Sequence, residues 1–260
     1  MSNKSTAAQK IQYPSELIDL PSGGKLYNEN SPLRSGQVEI KYMTAREEDI
    51  LTSQNLIKKG VVVDKLLESL ILTDGVELND LLLGDKNAVM VAARILAYGS
   101  EYTTQIIDPD TTEKIKFTFD LSECPFKELP DDIDYENGNE FKISLPASKK
   151  EVTFKILNGY DDDSVNKQIK TITAKLKNNV SPEVTTRLKQ AIISIDGNED
   201  RGFINNFVDN MLSRDSLALR NEIARISPDI VMEQIIELGG RTVPVDIPLA
   251  VEFFWPHGKP

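Results

Sequence analysis

Apolar residues in this chain change their spacing several times, and each change predicts a different element. From Gln37 to Met43 they alternate, with Val38, Ile40 and Tyr42 set against Glu39 and Lys41, which predicts a strand. An extended stretch precedes it at Leu17–Leu26, broken by Pro21 and the Gly23-Gly24 pair. Thr44 then opens a helix. Thr44-Ala45-Arg46-Glu47 is a capping box, and Glu47, Glu48 and Asp49 fall in the first turn, where the helix dipole favours acids. Ile50, Leu51 and Ile57 supply the apolar face, and Gly60 supplies the C-cap after Lys58-Lys59. Helices over 64–72, 78–83 and 87–98 are predicted next, the last with Val91, Ile95 and Tyr98 on one face and Gly99 at its end.

Beyond residue 100 the period switches to two. Thr104–Ile107 and Lys114–Phe119 flank Asp108-Pro109-Asp110-Thr111-Thr112, a loop of hairpin length and composition. Phe141–Leu145 and Val152–Ile156 form a second pair, after an acidic, proline-containing surface loop over 128–140. From Asp163 the helical period returns, with Val165, Ile169, Ile172 and Leu176 as one apolar stripe and a cap among Asp161–Ser164. Ser181-Pro182-Glu183 starts another helix, with Val184, Leu188, Ala191, Ile192 and Ile195 inward and a stop at Asp196-Gly197. Two more are predicted, over 200–212 and from Ser213 to the residues before Ser227-Pro228. The chain then returns to extended structure over 231–238 and 241–247 about Gly239-Gly240, and ends in Val251-Glu252-Phe253-Phe254-Trp255-Pro256.

These elements predict an α+β protein: two mainly helical lobes, 44–100 and 160–228, joined by antiparallel β-hairpins. The hairpin at 231–247 is expected to pack beside the one at 103–120. By segment, residues 1–13 read as a disordered arm, 14–100 as an extended arm plus helical lobe, and 101–158 as the hairpin region. Residues 159–228 form the second helical lobe, and 229–260 the last hairpin and aromatic tail.

Composition narrows the function. The 260 residues suffice for one large domain or two small ones without disulfide support. Lys and Arg number 30 against 41 Asp and Glu, a net charge of −11. That balance argues against bulk nucleic-acid binding, which needs a cationic surface. A single cysteine, Cys124, allows neither an intrachain disulfide nor a CxxC zinc site, and a single histidine, His257, leaves little imidazole for catalysis. The polar start lacks a signal-peptide core, and no apolar run is long enough to span a bilayer. The reading is a soluble intracellular protein with neither nucleic acid nor membrane as partner.

Candidate chemistry is sparse. Gly23-Gly24-Lys25 lacks the spacing and hydroxyl residue of a phosphate loop and reads as a turn. Asp161-Asp162-Asp163 lacks the ligand spacing of a calcium loop and reads as a helix start, while Asp108, Asp110 and Glu113 read as solvated turn residues that could meet a cation. A hydrolase using Cys124 with His257, or a carboxylate pair, is the remote enzymatic reading; a lone cysteine is more often a small buried hydrophobe. No catalytic, cofactor-binding or metal-binding residue is assigned. Around Asp215-Ser216 the expectation is structural, with Ser213 as a cap and Asp215 and Ser216 serving first-turn amides. Arg220 is a candidate fork for a nearby acid or a partner's. Phe253, Phe254 and Trp255 either close a core or anchor a partner, since rigid aromatics supply most interface hot spots.

Several of these stretches together resemble one family. Ile40 to Thr52, Ala191 to Gly197, Asp215-Ser216 to Leu219-Arg220, Ser227-Pro228-Asp229 and the terminal Phe-Phe-Trp-Pro, in this order and spacing, are similar to the T4-type phage baseplate hub and hub-assembly proteins. The resemblance runs from Pro14 to Pro256. It implies a structural or assembly component of the central hub of a contractile tail, working by contacts with hub proteins and the tape-measure protein. It also implies a place in the virion tail after assembly in the host cytoplasm. A transient assembly chaperone, absent from the finished particle, is the alternative. Many relatives carry CxxC pairs at two hairpins. The matching loops here, Ile107-Asp108-Pro109-Asp110 and Leu238-Gly239-Gly240, contain no cysteine, so zinc-dependent properties do not carry over.

Overall fold

The computed structural model describes residues 13–108, 112–135, 138–175, 181–238, 240–247 and 251–254. The arm expected at 1–13 therefore falls almost wholly outside the described residues, as do Leu176 and Trp255. Strands β1 (Ser15–Asp19) and β2 (Gln37–Lys41) pair antiparallel, with Ile18 opposite Val38. The loop between them folds tightly at Gly24, whose φ is +78° and where a Cβ would lie 2.4 Å from the Arg34 carbonyl oxygen. That turn directs Ser22 and Tyr27 toward the helices that follow.

Thr44 caps α1 (Ala45–Leu51) through the expected capping box, and its partner Glu47 also takes an ion pair from Lys41 at 2.7 Å. The single helix predicted over 44–60 is divided here. It stops at Thr52-Ser53, where the Thr52 hydroxyl bonds back to the Glu48 carbonyl at 3.1 Å, and α2 (Gln54–Lys59) starts afresh. The break lets Leu51 bury in the core while α2 stays at the surface with no buried residue. Gly60 does cap α2, at φ +71°. Next come α3 (Val62–Leu70), a short 3-10 turn at Leu78–Asp80 in place of the helix predicted over 78–83, and α4 (Leu83–Tyr98).

Hairpin β3 (Glu101–Ile107) and β4 (Lys114–Asp120) pairs Tyr102 with Phe119. Strands β5 (Phe141–Ser144) and β6 (Glu151–Phe154) follow, then α5 (Gly159–Lys175) and α6 (Glu183–Ala191). Helix α5 begins earlier than predicted. Asn158 accepts the Asp161 amide at 3.0 Å and donates its own amide back to the Asp161 carboxylate, so Asn158 is the cap. Of the predicted stripe, Val165 is fully buried, whereas Ile169 and Ile172 are half-buried.

Ile192–Ile195, expected as the end of α6, is a strand. This β7 (Ile192–Ile195) adds antiparallel to β6, placing Ile195 opposite Val152 and making a three-stranded sheet β5-β6-β7. Three isoleucines in four residues suit a pleated, buried surface better than another helical turn. Helices α7 (Arg201–Asp209) and α8 (Ser213–Ile226) follow, then hairpin β8 (Glu233–Leu238) and β9 (Arg241–Asp246) and a 3-10 turn at Val251–Phe254. The β8–β9 hairpin lies beside β3–β4 as expected: the Gln234 amide donates to the Asp120 carbonyl at 2.6 Å, and Arg241 meets Asp108 at 3.1 Å.

The fold is α+β, with two apolar cores. The first joins β2, α3 and α4 to both hairpins and the terminal turn, through Ile40, Leu66, Val89, Phe119, Leu238 and Phe254. The second lies between the β5-β6-β7 sheet and helices α6, α7 and α8, through Phe154, Leu188, Ile195, Ile204, Leu219 and Ile226. Glycine lets the two halves meet closely. A Cβ on Gly84, in the first turn of α4, would lie 1.9 Å from the Pro228 carbonyl oxygen after α8.

Candidate functional site

The C-terminal aromatics do not stand on the surface. Phe253 and Phe254 are both 0% exposed. Phe253 packs edge-on against Tyr102 at 5.0 Å and against Phe254 at 5.6 Å. Burial of both rings in the first core removes them as ready anchors for a partner and favours the core-closing alternative. Trp255 lies outside the described residues.

What holds that turn in place is a residue the sequence reading passed over. Arg94 of α4 is 2% exposed and meets no carboxylate among the described residues. Its guanidinium instead donates to three carbonyls: Phe253 at 2.9 Å, Gly99 at 3.0 Å and Glu101 at 3.2 Å. The Tyr98 and Tyr102 rings lie 5.1 and 5.9 Å from it, within cation–π range. Burial pulls its pKa below the usual arginine value.

Asp85, in the first turn of the same helix, is fully buried. It accepts the Ser22 amide at 2.9 Å and the Tyr27 hydroxyl at 2.6 Å, and that hydroxyl in turn accepts the Leu82 amide at 2.9 Å. Desolvation pushes the Asp85 carboxyl above the ordinary range, and the hydrogen bonds from Tyr27 and Ser22 oppose it. The same burial raises the Tyr27 phenol. Arg94 had a readable signal, since the helix predicted over 87–98 is apolar around most of its circumference and leaves a charge few exposed positions; Asp85 lies before that predicted start.

Asp215 does something other than the predicted first-turn service. It is buried at the start of α8, and its carboxylate accepts the backbone amides of Ala147 at 2.7 Å and Ser148 at 3.0 Å. It thereby fastens the β5–β6 connection to the helix. Burial alone would raise its pKa, but these amide bonds prevail and hold it below the ordinary value. The arginine that forks is also different from the one expected. Arg225 donates two bonds to Glu222 and a third to Asp132 at 2.8 Å, whereas Arg220 is exposed and meets no acid among the described residues.

Arg220 does stand at the rim of a groove of about 450 Å3. It is lined by Leu83 and Leu157, by Val184 and Leu188 of α6, and by Ile223 and Ala224 of α8. Its remaining rim charges are engaged: Arg187 pairs with Asp162 at 2.8 Å and Glu183 at 3.3 Å, and Asp229 accepts from the Asn87 side chain at 3.1 Å.

The remaining chemical candidates have structural employment. Asp161 pairs with Lys155 and Asp162 with Arg187. The Cys124 thiol is buried, accepts a weak bond from Gln234 at 3.5 Å, and is pushed up in pKa by desolvation, which favours the unreactive thiol form. Its suggested base, His257, lies outside the described residues, as does Asp110. Among the described residues no cluster of three or more His, Cys, Asp or Glu could hold a metal ion, and no helix is long and apolar enough to cross a membrane. The two hairpin ends singled out by resemblance come together through the Asp108–Arg241 pair, with the carboxylate buried.

A family model described as T4 bacteriophage base plate protein matches residues 13–232. The chain belongs to that family. The match takes in both cores' helices and ends just before β8, so the terminal Phe-Phe-Trp-Pro run lies beyond it. No curated protein and no solved structure matches the chain. Membership of the T4 base plate family makes this a bacteriophage baseplate protein, a component of the tail whose partners are other baseplate proteins. A structural role follows from that family, and the burial of Asp85, Arg94 and Asp215 suits it: each carries hydrogen bonds between distant segments.

Proposed function

We propose that this chain is a structural or assembly component of the central hub of a contractile tail baseplate, assembled in the host cytoplasm and working by contact with hub proteins and the tape-measure protein. The observation that carries the reading is the family match across residues 13–232, taken with the resemblance of its motifs to hub and hub-assembly proteins. Support also comes from charge. A net charge of −11 favours encounter with basic protein surfaces and disfavours association of like copies.

The test is quantitative mass spectrometry of purified baseplates, combined with reconstituted assembly from hub and tape-measure proteins. Stoichiometric recovery and co-purification are expected. Binding during assembly followed by absence from finished particles would reassign the chain as a transient chaperone. Failure to bind either partner would reject the hub reading.

A further inference from the structure

We propose that the groove between α6 and α8 is the seat of another baseplate protein, which lays an amphipathic segment along it and sets an Asp or Glu against Arg220. This inference deepens the hub-component reading and rests on it. The groove is preformed: Gly84 packs against the Pro228 carbonyl beneath it, and the Arg187–Asp162 and Arg187–Glu183 pairs fix one rim. Its walls are apolar, and Val184 is 44% exposed although the side chain has apolar neighbours available on its own helix and on α8. Its volume of about 450 Å3 is within the range that holds a few buried side chains and too small for a whole domain face.

Charge selects the occupant. Among the rim residues that are described, Arg187, Glu183 and Asp229 already have partners within the chain, and Arg220 alone has none. A segment that is apolar on one face and carries a carboxylate at its edge completes both features. Partial shielding by the apolar walls strengthens such an ion pair relative to one in open water. A second copy of this chain is the poorer occupant, because two bodies each of net charge −11 repel one another.

The experiment uses particles assembled in cells whose only source of this chain is a variant with a photocrosslinking amino acid at position 184. In purified baseplates the cross-link is expected to fall on a different baseplate protein, in an apolar stretch containing Asp or Glu. Arg220→Glu should lower incorporation about tenfold, and Arg220→Gln less. Reversing the mapped acid to Lys should restore the Arg220→Glu protein. Unchanged thermal melting of both Arg220 variants keeps a folding defect out of the comparison. Normal incorporation of Arg220→Glu would overturn the proposal. So would cross-linking only to a second copy, or no cross-link from baseplates that contain the chain. Presence of the wild-type chain in those baseplates tests the hub reading separately, so one can fail without the other.

Discussion

The two cores are built by different logics. The first is gathered from pieces far apart in the chain: β2, α3 and α4, then hairpin β3–β4, then β8–β9 and the turn at 251–254. The second draws almost entirely on residues between Tyr135 and Ile226, with Leu26 and Leu82 as additions. Both bury charge where separate segments meet. Arg94, in the first core, and Asp85, where the two cores adjoin, sit where segments distant in sequence meet, bonding Phe253 on one side and Ser22 and Tyr27 on the other. The second buries Asp215 at one edge and Asp161, paired with Lys155, at another, and the Tyr135 hydroxyl donates to the Ile226 carbonyl at 3.1 Å. Apolar packing alone tolerates slippage, whereas a buried polar group has few positions at which it is satisfied. The lesson is that polar groups are buried where the chain most needs a unique register.

The sharpest way to break this contrast is Arg94→Ala. It strands the carbonyls of Phe253, Gly99 and Glu101 and should cost on the order of 3–5 kcal/mol, read by chemical denaturation. A loss below about 1 kcal/mol would mean water replaces the guanidinium and the first core does not depend on it. Asp215→Ala removes two amide bonds at the edge of the second core and should cost about 2 kcal/mol. Faster hydrogen exchange at the Ala147 and Ser148 amides, with β2 unaffected, is the accompanying signature.

The smallest effect is a difference of sign with pH. Burial raises the Asp85 pKa above its unfolded value, so its contribution is complete below about pH 4 and is lost as pH rises through the folded value. Hydrogen bonding lowers that of Asp215, so its contribution is present above about pH 4 and is lost as pH falls through the folded value. Asp85→Asn, which cannot ionise, should flatten the decline in stability as pH rises above about 4. Asp215→Asn should soften the loss below about pH 4. Unchanged slopes in both variants, measured by denaturation across that range, would show that neither carboxylate titrates differently in the fold.

Local chemistry was legible in the sequence, and long-range chemistry was not. The Thr44–Glu47 box, the Gly60 cap and the hairpin spacings are written within a few residues, and the structure contains them. Ile192–Ile195 misled because no breaker separates it from α6, and only pairing with β6 makes it a strand. Asp215 looked like a helix-start residue because its true partners, Ala147 and Ser148, lie in another element. Phe253 and Phe254 were visible as a cluster, but their burial depends on Arg94 and Tyr102, which no local pattern connects to them. Arg220 was identified by position alone; the groove beside it requires α6, α8 and the start of α4 together.

The Arg94 bond to the Phe253 carbonyl also has a consequence for how the protein is made. During synthesis the second core can close once Ile226 has emerged, because among the described residues its buried members all precede that point. The first core holds β2, made before the second core's sheet, yet waits for Phe253 and Phe254. Maturation therefore runs against the usual N-terminal-first order. Until Phe253 and Phe254 have been made, β2 must keep its apolar face from other partners.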